Sequence, residues 1–179
     1  FTALPQFQVL RNRAPRAGET LAVAGLAGSS DALLVAALAI GAPNRLHVVI
    51  ADQVPDKKLA PAAGTMARYR LQEWLNFTTS ELHKGFSPLF NPDFPEAGKA
   101  FFKNKLGQRL AWVDGQLKGK QYLMGDTFTV ADAYLFTVAG WGQYVGVDIK
   151  PLAHLSAYMA RVAARPAVQE ALKAEGLLK

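Results

Sequence analysis

At 179 residues and 19.3 kDa, half of them hydrophobic, the chain can bury a sizeable core as one ordinary domain or two small ones, which excludes a disordered tail. The absence of Cys excludes a disulfide scaffold, a Cys-ligated zinc site and a cysteine nucleophile of the chain's own. The formal net charge of +6 raises nucleic acid and acidic membranes as partners, but the bases are scattered and never form a run of five, so neither is expected.

Arg11, Arg13 and Arg16 precede an apolar region as in an export signal, yet Glu19 and Asp31 interrupt what would be its uncharged core. The longest apolar run, Ala32 to Ala42, has 11 residues, against about 20 for a spanning helix. A cytoplasmic location is therefore expected. Thr20 to Ala24 reads as a short strand, Gly25 to Ser30 as a turn, Asp31 to Gly41 as a helix and Leu46 to Ala51 as a second strand. Two strands are too few for an independent sheet, so residues 1–52 read as a βαβ-like fragment, followed by a linker at 53–64. The Gly25 to Ser30 turn lacks the Gly-Lys-Ser/Thr ending of a phosphate-binding loop.

From Thr65 to the end the pattern is helical, making residues 65–179 a separate helical domain and the fold class mainly α. Leu71, Trp74, Leu75, Thr78 and Leu82 form one stripe of a helix expected over 65–85, with Gly85 and Pro88 ending it. Phe102, Leu106, Leu110, Val113 and Leu117 repeat the stripe in a helix that ends near Gly119. Thr129 and Asp132 have the spacing of a capping box, with Asp where Glu or Gln is commoner. Ala131 to Trp141 and Leu152 to Ala164 follow as helices, and Pro166 opens a last short one in the position that suits proline. Five helices on short links predict a bundle.

Several stretches carry a family resemblance: Tyr69 to Phe77 (YRLQEWLNF), Glu81 to Phe86 (ELHKGF), Gly125 to Phe136 (GDTFTVADAYLF) and Arg165 to Val168 (RPAV). In this order and spacing, across about residues 54–178, they resemble the C-terminal helical domain of bacterial glutathione S-transferases, most closely the beta class. The resemblance implies a five-helix bundle and, as activity, conjugation of glutathione thiolate to small hydrophobic electrophiles. Glutathione would be the co-substrate, no metal would be needed, and a complete transferase would be a homodimer. Pro15 to Leu21 and Leu26 to Leu34, by contrast, resemble the start of a bacterial transcription-repair coupling factor, which would make the chain a chimera. The family's first domain has a loop that ends in a cis-proline and a Glu-Ser or Glu-Gly pair at a helix start that holds the γ-glutamyl group of glutathione, and neither is recognisable in residues 1–52.

A free thiol with pKa near 8.5 is only a few per cent ionised at pH 7, so the chemistry needs a group that stabilises the sulfur anion. The resemblance implies His83 as the catalytic residue beside the sulfur and Lys84 as a glutathione-binding cation. A polar turn at a helix C-terminus, where His and Lys favour the negative end of the dipole, is the plainer alternative. Asn76, seven residues before His83, would share its helix face and could touch glutathione or a second subunit, unless it is simply surface. Phe86, Phe90 and Trp141 would wall the electrophile pocket; ordinary core packing is the competing reading. Thr129 and Asp132 are expected to act as a structural cap. His47 and His154 are isolated from other metal-ligating residues, so no metal site is expected. Without a recognisable first half-site, catalysis would be impaired, and the rival reading is a non-catalytic helical binding or interaction module.

Overall fold

The computed structural model describes Val48 and residues 51–177, and five helices organise that span. They are α1 (Met66–Phe77), α2 (Glu96–Leu117), α3 (Val130–Gly140), α4 (Ala153–Ala163) and α5 (Pro166–Ala174). No strand occurs among the described residues; an isolated antiparallel bridge joins Tyr122 to Gly125. Thr65 starts α1, its hydroxyl oxygen accepting from the Arg68 N–H at 3.2 Å. Pro166 starts α5 at a position where its missing N–H costs no helix bond.

Helix α3 is buried on every side, from Val130 through Leu135 and again at Val138 and Ala139, and so forms the centre of the bundle. The expected α1 stripe closes on it, with Leu71, Leu75, Thr78 and Leu82 buried and Trp74 half-buried. Leu106, Leu110, Val113 and Leu117 turn the inner face of α2 toward α4. Each such buried side chain contributes about 1.5–3 kcal/mol relative to exposure.

Asp132 fixes the entry to α3. Its Oδ2 accepts from the Thr129 N–H at 2.8 Å and the Thr129 hydroxyl at 2.9 Å, while Oδ1 accepts from the Leu123 N–H at 2.8 Å. Both arms of the capping box are present, and the Tyr158 hydroxyl adds a bond to Oδ1 at 3.2 Å. Burial pushes the Asp132 carboxyl above its ordinary value although all these donors oppose the shift.

Two expectations need correction. Within the stretch expected as a strand, Leu46 to Ala51, the described residues Val48 and Ala51 are helical, as is Asp52; the other residues of that stretch lie outside the described ones. Ala51 is buried, its carbonyl accepts from the Val54 N–H at 3.2 Å, and half-buried Val48 packs on the core, so packing overrides the β preference of that valine. The other expectations for residues 1–50, including the first strand, the turn, the helix and the coupling-factor likeness, lie outside the described residues. Nor do Gly85 and Pro88 end the first helix. The chain stays helical through a π turn (Thr78–His83), a short α turn (Lys84–Phe86) and a 3-10 turn (Ser87–Phe90). Pro88 stands in the first positions of that last turn, where no donor is needed, and Gly85 is a contact point: a Cβ there would lie 2.9 Å from Leu106 Cδ2.

The segment read as a linker packs on the bundle. Leu59 is buried and its carbonyl accepts from the Val130 N–H at 2.9 Å. Buried Arg68 donates from Nε to the Pro61 carbonyl at 2.7 Å and pairs with the half-exposed Asp52.

Candidate functional site

The π turn that carries His83 has a local cause. The Thr79 hydroxyl donates to the Leu75 carbonyl at 2.8 Å and the Ser80 hydroxyl to the Asn76 carbonyl at 3.0 Å, so side chains compete for helix acceptors in consecutive positions. The ladder widens, and the Lys84 N–H donates to the Thr79 carbonyl five residues back. Glu81 ties this turn to α2 through Arg109, at 2.8 Å.

One extra residue in the turn rotates His83 about 100° from where α geometry puts it, so the seven-residue spacing no longer sets Asn76 on its face. Asn76 is exposed. His83 and Lys84 divide between inside and outside. Lys84 is exposed and pairs with no carboxylate among the described residues.

His83 is half-buried, with Nδ1 2.8 Å from the Tyr134 hydroxyl. Trp141 meets the imidazole edge to face at 4.8 Å between centroids and 90° between planes. Burial, and secondly the Lys84 charge, hold the His83 pKa below its ordinary value, so the ring is neutral at pH 7.

Trp141 gathers the aromatic residues. Phe90 stands perpendicular to it at 5.9 Å and Phe86 at 6.1 Å. Phe90 and Trp141 are half-buried, whereas Phe86 is fully buried and supports Trp141 from the core. Trp141 follows α3 and leads into a one-turn helix (Gly142–Val145), closed by the Val147 N–H donating to the Gly142 carbonyl at 3.0 Å. A Cβ on Gly142 would lie 2.5 Å from the Val147 carbonyl oxygen, so only glycine permits this approach. His154 is exposed and His47 lies outside the described residues; among these no group of three or more His, Asp or Glu is placed to hold a metal.

Sequence reasoning gave no role to Tyr134. The available signal was a tyrosine within a mostly apolar helix, whose hydroxyl needs a polar partner.

A central apolar helix with an N-terminal capping box thus packs against a long broken helix whose π turn ends in His83, set against Trp141 with Lys84 beside it. Residues 77–166 match the family described as "Glutathione S-transferase, C-terminal domain". The chain is 47% identical over 128 residues to glutathione S-transferase GstA of Escherichia coli O157:H7, covering 72% of this chain and 64% of that protein. It resembles the structure of a ternary complex of BphK, a bacterial transferase, at 53% identity and TM-score 0.71, covering 73% and 65% of the two chains. It also resembles a sphingomonad glutathione S-transferase complexed with glutathione, at 45% identity and TM-score 0.71, covering 75% and 67%. The chain belongs to the glutathione S-transferase family, in its bacterial, beta-class-like form. It spans about two thirds of the length of these relatives.

Proposed function

We propose that residues 65–179 form the transferase helical domain, tethered through residues 53–64, and supply one corner of a cytoplasmic glutathione-conjugation site. In this reading the neutral His83 imidazole lies beside the glutathione sulfur and donates to the thiolate. Lys84 supplies fixed positive charge to the tripeptide's carboxylates. Phe90 and Trp141 give the electrophile an apolar wall, with Phe86 as the support behind it. The thiolate attacks the electrophilic carbon, a carbon–sulfur bond forms and the leaving group departs with its electron pair. Asn76, exposed on α1, is a further candidate contact for glutathione or for a second subunit. In the assembled transferase a second copy of the chain is the expected partner.

The observation that carries the reading is the meeting of His83, Trp141 and Phe90 beside an exposed Lys84. An activating group for the sulfur has to come from elsewhere, and the sequence contains no Cys to provide one. These 179 residues alone are therefore expected to conjugate only weakly, since lost positioning and lost thiolate stabilisation each cost several orders of magnitude in rate. The same absence favours a second reading, a helical binding module without turnover. A conjugation assay with glutathione and a reactive aryl halide, run with His83→Ala in parallel, separates the two. Slow turnover that falls further in the variant supports the conjugation site. No turnover favours the binding module, and turnover unaffected by His83→Ala removes His83 from the chemistry.

A further inference from the structure

We infer that Tyr134 is a positioning residue for His83: its hydroxyl donates to Nδ1 and so holds the imidazole in the tautomer that carries its proton on Nε2. Nε2 then presents a hydrogen-bond donor, and not a base, to whatever anion occupies the site. Its service to a sulfur anion rests on the glutathione reading above; the tautomer itself does not.

The direction of the 2.8 Å bond follows from the chemistry of its two ends. A phenol is a much stronger acid than the N–H of a neutral imidazole, and an imidazole nitrogen is the better acceptor, so the shared proton belongs to the Tyr134 oxygen. Burial raises the Tyr134 pKa, which keeps the phenol protonated, and burial of His83 keeps the ring neutral and able to accept. Three elements fix the geometry. Tyr134 is buried in α3, the Thr79 hydroxyl of the π turn lies 3.4 Å from its oxygen, and Trp141 packs across the imidazole. The widened turn that displaces His83 from Asn76 is thus the turn that delivers Nδ1 to Tyr134.

Nitrogen-15 NMR of the full chain labelled at histidine reads the tautomer directly. The chain has three His, so the spectrum of His83→Gln identifies the His83 signals by their loss. At neutral pH, Nε2 is expected in the protonated class and Nδ1 in the class of a hydrogen-bonded acceptor. Tyr134→Phe, which removes one oxygen, should shift Nδ1 toward the value of a free acceptor. A proton found on Nδ1 of the unmodified chain overturns the inference, and so does an Nδ1 signal unmoved in a folded Tyr134→Phe protein. The unmodified chain decides the matter even where that variant does not fold. Millimolar glutathione added to the same sample should move Nε2 more than Nδ1. An Nε2-protonated ring that ignores glutathione supports the assignment to Tyr134 and removes only the glutathione reading.

Discussion

Asp132 shows how one carboxylate can serve the fold and stay out of the chemistry. Its two oxygens take backbone N–H groups from opposite sides, Thr129 on Oδ2 and Leu123 on Oδ1. Asparagine therefore sets an amide NH₂ against one of these donors whichever way it is turned. Asp132→Asn and Asp132→Ala are both expected to lose about 3 kcal/mol, because a cap is lost and a buried donor is left unsatisfied. Urea unfolding measures this, and an Asn variant as stable as the native chain would contradict the two-sided role. The Thr129–Asp132 spacing made the capping box legible in the sequence. The donation from Leu123 and the reach of Tyr158 were not legible, because both partners are brought to Asp132 only by packing.

Among the elements, the apolar stripes of α1 and α2 could be read directly, since a buried helix face imposes its period on the residues that line it. The π turn could not. Thr79 and Ser80 each fit a polar position on a helix, and only their competition for carbonyls widens the ladder. Gly85 was misread as a stop because the sequence does not show that Leu106 crosses there. The same turn leaves a mark in the energetics: the Thr78 hydroxyl is buried with no hydrogen-bond partner among the described residues. Thr78→Val keeps the shape and removes the unsatisfied group, and should stabilise the chain by about 1 kcal/mol. A higher urea midpoint with unchanged slope is the expected result; a lower midpoint would mean that the hydroxyl has a partner in solution.

At the scale of the whole molecule, the bundle brings together residues far apart in sequence: His83 from the π turn, Tyr134 from the buried helix and Trp141 from the turn beyond it. The family resemblance anticipated His83, Lys84 and Trp141 as neighbours, whereas Tyr134, masked by its apolar setting, emerges only from the packing of the π turn on α3. Segment 51–62 is held to the same bundle through Arg68, Asp52 and Leu59. His83 and Lys84 are proposed to make an anion-binding corner for glutathione. Titration calorimetry of the native chain against glutathione, repeated with Lys84→Ala, tests it most directly. Weak binding to the native chain is expected, falling by about tenfold or more in the variant, which corresponds to roughly 1.4 kcal/mol for one lost charge-assisted contact. Equal binding by the two proteins, or none by either, would contradict it.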